Sequence, residues 1–201
     1  MALHNTLTGA ELHEPKGAAS AAVNKIYVSD GAGSGTWKAL YTQGFEDYAD
    51  TGTAQALTSG AFVDLTNDGA VTSKTYKLPD GRGDIWNIST NRFDWAEADL
   101  QLGDTVDIRF DLTITTVNAN DDIILAMDLA IGGSPYTLDI LTAPIKDAGT
   151  YQQTIMTSIY MGDANTLGNL AKVSMFSDAA GNSVVVNGWY VRTVPRQPIL
   201  V

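Results

Sequence analysis

Cysteine is absent from the 201 residues, so the chain has no disulfide framework, no thiolate nucleophile and no cysteine zinc site. Histidine is scarce: His4 and His13 are the two present, both near the start, which leaves the rest of the chain without the general base of a Ser-His-Asp triad. Charge is sparse at 17% of residues, and positive charge more so, with 12 Lys and Arg against 23 Asp and Glu for a net charge of −11. Such a body repels a polyanion, and nucleic acid is not an expected partner. Long apolar runs are also missing. The longest, Ile123-Ile124-Leu125-Ala126-Met127, is cut by Asp128, far short of the ~20 residues a membrane span needs. The opening residues lack the basic start and continuous apolar stretch of a secretory signal, so an intracellular start and no membrane partner are expected.

What is present favours a packed domain. Hydrophobic residues make up 44% of the chain, and at this length roughly 70% of the unfolded surface is buried on folding, enough for a core without metal or disulfide staples. The acid excess is uneven: residues 1–40 carry Lys16, Lys25 and Lys38 against Glu11, Glu14 and Asp30, so the whole −11 falls on residues 41–201. A neutral arm and hairpin over 1–40, able to lie against another surface, therefore precede an acidic body over 41–201.

Strand signals dominate the body. From Val106 to Thr115 apolar and polar residues alternate strictly, which buries one face of a strand and wets the other. Ile123, Leu125, Met127, Leu129 and Ile131 repeat the pattern before the turn Gly132-Gly133-Ser134-Pro135. Tyr136 to Ile140, Tyr151 to Met161, Lys172 to Phe176 and Ser183 to Val194 follow, and Ala61 to Leu65, Thr75 to Leu78 and Ile85 to Ile88 precede them. Asp94 to Asp99 is the one stretch that suits a helical turn. Upstream, Lys25 to Ser29 and Thr36 to Leu40 flank a glycine-rich turn as a hairpin, marginal alone and expected to pack on something else. The expected fold is all-β: an antiparallel β-sandwich of jelly-roll type preceded by an extended N-terminal arm and a β-hairpin.

Chemical motifs are few. Gly31-Ala32-Gly33-Ser34-Gly35 is a hairpin turn, since no Lys-Ser/Thr follows and a strand begins where a phosphate loop needs a helix. Arg82-Gly83-Asp84 reads as a tight turn. The stretch from Asp163 starts like a calcium loop, but Leu167 and Ser174 stand at its fifth and twelfth positions, so no metal site is expected. Asn87-Ile88-Ser89 matches a glycosylation sequon that is moot without a secretory signal. Glu46-Asp47 and Glu97/Asp99 are acid pairs of the kind a glycosidase uses, read here as solvated surface. Trp86, Trp95, Tyr160 and Trp189 are the aromatic candidates for glycan or inter-subunit contacts, with core or interface packing favoured over sugar stacking.

Five stretches resemble a known family. Glu11-Leu12-His13-Glu14-Pro15-Lys16-Gly17, followed by Lys25 to Trp37, is similar to the N-terminal module of tailed-bacteriophage virion proteins, in which a short virion-bound segment precedes a trimeric β-domain. Gly103 to Arg109, Ile159 to Leu167 and Asn187 to Arg192 resemble the terminal domain of such proteins. The resemblance implies a homotrimeric capsid decoration or head-fibre protein, located in the virion after assembly in the host cytoplasm. Its partners would be copies of itself and the major capsid protein or another virion protein. Leu3, Leu7, Leu12, His13, Pro15, Ile26, Tyr27 and Trp37 are the expected docking residues. A tail-fibre tip that binds host surface glycan is the alternative. No catalytic residues, cofactor or enzymatic activity are expected.

Overall fold

The computed structural model describes residue 22 and residues 25–32, 35–41, 43–50, 52–69, 71–75, 83–196 and 199–200. Most of the expected arm lies outside these residues, as do three of the four in the expected strand Thr75 to Leu78. Two compact units emerge, residues 1–41 with 198–201 and residues 42–197.

In the first unit β1 (Lys25–Ser29) and β2 (Gly35–Tyr41) pair antiparallel, with Tyr27 opposite Trp37. The loop between them turns through Gly31 at φ +76°, and the Ala32 N–H donates to Asp30 Oδ1 at 2.8 Å, as an Asx turn requires. A late strand, β15 (Ile199–Leu200), adds to β2 opposite Tyr41 and Leu40, so the end of the chain completes a three-stranded sheet with the hairpin.

The second unit is an antiparallel β-sandwich of jelly-roll type. Its larger sheet is built from β3 (Gly44–Ala49), β4 (Ala54–Ala56), β6 (Val71–Thr75), β9 (Thr105–Thr116), β12 (Gly149–Tyr160) and β14 (Ser183–Val194). Their order is β12-β9-β14-β3-β6, with β4 beside the start of β14. The smaller sheet contains β7 (Trp86–Asn87), β8 (Arg92–Phe93), β10 (Asp121–Ile131), β11 (Tyr136–Ile145) and β13 (Leu170–Ser177) in the order β11-β10-β13-β8-β7. Beyond β8, the segment of β5 (Ala61–Asp64) runs along β13: the Gly60 and Leu65 N–H groups donate to the Ser177 and Val173 carbonyls at 2.8 Å each.

Alternation explains these strands. In β9 every second residue, Val106, Ile108, Phe110, Leu112 and Ile114, is buried, while those between face outward. They meet Ile123, Leu125, Met127 and Leu129 of β10 and Val173 and Met175 of β13 in one continuous core. Each such side chain, fully buried, is worth roughly 1.5–3 kcal/mol. A buried polar clasp joins the sheets at one end: Asn182 Nδ2 donates to Asp121 Oδ2 and to Ser177 Oγ, both at 2.9 Å, and Asn182 Oδ1 accepts from the Val117 N–H at 2.9 Å.

The expected strand at Tyr136 runs on to Ile145. Asp94 to Asp99 forms turns, with Asp94 Oδ1 accepting from the Glu97 N–H at 2.9 Å. The polar stretch after Met161 instead holds α1 (Ala164–Leu167), capped by Asp163, whose Oδ1 accepts from the Thr166 N–H at 2.8 Å.

Candidate functional site

Three of the four aromatic candidates are in the core. Trp86, Trp95 and Trp189 have at most 1% of their surface exposed, so their rings are out of reach of a glycan or a neighbouring subunit. They are anchors: Trp86 packs edge-on against Trp189 and Phe93, with centroids 5.8 and 4.7 Å apart, and Phe93 stacks on Trp95 at 5.3 Å. Tyr160 does reach solvent, 63% exposed on β12. Of the expected docking residues, Ile26 is exposed on the hairpin, and Tyr27 and Trp37 form a half-buried edge-to-face pair at 5.4 Å. Leu3, Leu7, Leu12, His13 and Pro15 lie outside the described residues.

Neither acid pair forms a convergent couple. Glu46 and Asp47 point to opposite sides of β3 because successive strand residues must. Glu46 faces inward, where the Tyr48 hydroxyl donates to its carboxylate and the Ile85 N–H reaches Oε2 at 3.0 Å. The same hydroxyl accepts from the Trp86 N–H at 3.1 Å. Burial first, then the Glu46 charge, pushes the Tyr48 phenol far above its ordinary range, so it stays a donor. Glu97 and Asp99 sit exposed on a turn. Among the described residues no three His, Cys, Asp or Glu side chains converge as metal ligands.

Side chains that do converge lie on the outer face of the larger sheet, set in rows by strand register. Phe45, Arg192, Asp107 and Ser158 form one row across β3, β14, β9 and β12, and Asp47, Tyr190, Arg109 and Met156 form the next. The third row has Gly188 between Ala49 and Asp111, followed by Thr154. A Cβ on Gly188 would lie 2.8 Å from the Tyr48 carbonyl oxygen, so the close approach of β3 to the bulge in β14 requires glycine. On the β12 side of these rows lies a trough of about 420 Å³ lined by Arg109, Asp111, Gln152, Thr154 and Asn187. A second hollow of about 210 Å³ adjoins it between Phe45, Tyr190, Met156 and the two arginines.

Mutual bonds fix the lining. Arg109 grips Asp111 through Nε at 3.0 Å and a terminal nitrogen at 2.9 Å, and its guanidinium carbon lies 5.0 Å from the Tyr190 ring centre. Thr154 donates to Asp111 Oδ1 at 2.9 Å, and the Asn187 amide donates to Thr113 Oγ1 at 3.0 Å. Arg192 and Ser158 both donate to Asp107. Desolvation opposes ionisation of Asp107, but the Ser158 and Arg192 hydrogen bonds and the Arg192 charge outweigh it and hold the carboxyl below its ordinary range. Sequence reasoning missed this face, because its residues become neighbours only through pairing across four strands; the alternation in β9 was the available signal.

Among the described residues the adjoining side of the sandwich is open. β11 and β12 are edge strands of their sheets, 10 and 12 residues long. β12 has neither a charged residue nor a proline, and β11 has one acid, Asp139, and one proline, Pro144. Their inward residues Ile140, Leu141, Ile145 and Ile155 are only partly buried against the core, and Tyr136, Leu138, Met156 and Tyr160 are exposed.

No protein-family model matches the chain. No curated protein sequence matches it. Solved structures do: PRD1 vertex protein P5 is similar over 86% of this chain and 82% of its own, at 16% identity and a TM-score of 0.40. The infectious bursal disease virus Gx strain structure is similar over 86% of this chain and 40% of its own, at 9% identity and a TM-score of 0.44. The CBM22-1 xylan-binding domain of Xyn10C from Paenibacillus barcinonensis is similar over 74% of this chain and 93% of its own, at 13% identity and a TM-score of 0.38.

Proposed function

We propose that the chain is a virion structural protein, a homotrimeric capsid decoration or head-fibre protein that docks through its N-terminal unit and displays the acidic sandwich outward. The uncharged, proline-free twelve-residue edge of β12 carries this reading. An edge of that length offers a row of backbone donors and acceptors to any other strand, and proteins that stay monomeric blunt it with lysine, proline or a covering loop. β12 has none of the first two. A closed ring of copies would cover the edge and the half-buried Ile140, Leu141, Ile145 and Ile155 beside it, whereas open-ended pairing would make fibres. The resemblance of residues 11–37 to a virion-bound module supports attachment through the hairpin side. The role is mechanical, without catalysis or a required metal.

Light scattering of the full chain tests the assembly, with an expected mass three times 21.4 kDa. A monomer at micromolar concentration overturns it. Immunogold labelling of particles with antibody against the body tests the location: label on heads is expected, and label confined to tails overturns the decoration role.

A further inference from the structure

We propose that the trough on the outer face of the larger sheet binds a neutral glycan, with hydroxyl groups held by Gln152, Asn187, Thr154 and the Arg109–Asp111 pair and the C–H face of a sugar ring set against Tyr190. The inference goes beyond the structural role and does not depend on the trimer.

The ligand class follows from the lining. Amide, hydroxyl, guanidinium and carboxylate groups stand side by side, so donors and acceptors alternate over a short distance. A sugar hydroxyl both donates and accepts, and a row of them is the ligand that satisfies such a mixture. Gln152 is exposed, and among the described residues its amide makes no hydrogen bond within the chain, so it is available to a ligand.

Charge argues against the alternatives. Arg109 and Arg192 are each neutralised, by Asp111 and Asp107, so the face offers an anion no surplus positive charge, and the chain as a whole carries −11. A hydrophobic ligand would leave the Gln152 amide covered without a partner. The adjoining hollow supplies the other half of a sugar's chemistry, with Tyr190, Phe45 and Met156 giving an apolar patch for ring C–H groups. At about 420 Å³ the trough is within the range of small-molecule sites, roughly 300–1,000 Å³, and it is open along the sheet, as a polymer requires. Arg109, Asp111, Thr154 and Asn187 sit on strands and are held by hydrogen bonds, so the ordering cost of binding falls mainly on Gln152. The face looks away from the core, perpendicular to the β12 edge, so pairing through that edge leaves it accessible.

The test is affinity electrophoresis of the full chain in native gels cast with neutral polysaccharides (dextran, mannan, galactan and mixed-linkage β-glucan) and, separately, with anionic alginate, followed by calorimetry with oligosaccharides of any polymer that retards it. Retardation by at least one neutral polymer is expected, insensitive to salt, and weakened about tenfold or more in Gln152→Ala and in Tyr190→Ala. Glu97→Ala, on a remote turn, should bind like the parent. Thermal melting of each variant separates lost binding from lost fold, and Gln152→Ala keeps the test decisive should Tyr190→Ala melt early. No retardation in any neutral gel, retardation by alginate alone, or unchanged binding in folded Gln152→Ala and Tyr190→Ala would each overturn the proposal.

Discussion

The two sides of the sandwich are finished differently. On the β3, β7 and β8 side the sheets are locked together by Trp86, Trp189, Phe93 and Tyr48, all essentially without exposed surface, and by the Glu46–Tyr48–Trp86 hydrogen bonds among them. On the β11 and β12 side the aliphatics Ile140, Leu141, Ile145 and Ile155 are only half-buried, and among the described residues no strand pairs beyond either edge. One side contains its own partners, and the other leaves aliphatic side chains and a strand edge without a partner among the described residues. A side chain's burial within one chain thus separates residues that hold the fold from those that the proposed assembly would cover.

The sharpest way to break the closed side is Trp189→Ala. The indole touches Trp86 and Phe110 edge-on, with centroids 5.8 and 5.0 Å apart, and its removal leaves a large cavity under β14. A loss of about 3–5 kcal/mol is expected in denaturant unfolding. Trp189→Phe is the informative companion. Among the described residues the buried indole Nε1 has no hydrogen-bond partner, so phenylalanine forfeits volume and no hydrogen bond. A cost equal to that of alanine would show that the ring is not packed as described.

Next in size is Tyr48→Phe, which removes the hydroxyl between the Glu46 carboxylate and the Trp86 N–H and leaves the ring in place. About 1–3 kcal/mol is expected, the cost of leaving buried polar groups short of a partner. A neutral result in the same unfolding assay would mean that water or a shifted Glu46 replaces the hydroxyl.

That buried pair also marks where sequence reading stops. The strands β9, β10 and β14 were legible because their inward positions are apolar except for Thr116, Asp121 and Thr193 near the strand ends, so alternation identifies them. β3 was not, since its inward residues are Gly44, Glu46 and Tyr48 while Phe45 faces outward, an inversion intelligible only once the Tyr48 hydroxyl and the Ile85 N–H are in place to receive the carboxylate. The tryptophans misled for a related reason. Aromatic residues serve cores and sites equally, and only the facing sheet decides that Trp86, Trp95 and Trp189 are enclosed while Tyr160 on an edge strand is not. The trough was hidden because it is a property of register, assembled from side chains of β9, β12 and β14.

A smaller effect is expected on the outer face. Asp107→Asn removes the charge held by Arg192 and Ser158, and because the pair is at the surface and screened by salt its worth is roughly 0.2–1 kcal/mol. The sign follows from the lowered folded-state value: the contribution is fully present above the ordinary carboxylate range and is lost as pH falls through that lower value. Unfolding of parent and variant should therefore differ at pH 7 and converge in acid. A gap that widens on acidification would contradict the assignment of Asp107 as the acceptor.

The smallest effect on stability is expected where the effect on assembly is largest. Thr137 and Thr142 are exposed on β11 and face outward in register with Asp128 and Ile124, so lysine at both places two charges along the open edge without touching the core. Stability of the single chain should change by no more than about 0.5 kcal/mol, as for surface positions in general. Light scattering should nonetheless fall from three times 21.4 kDa to one, since a lysine-studded edge resists strand pairing and brings like charges together wherever copies meet. The comparison between the two sides depends on this pairing of outcomes. A double variant that stays trimeric would move the interface off the β11 edge. One that unfolds would show the open side to be as necessary to the single chain as the closed side, and the contrast between them would disappear.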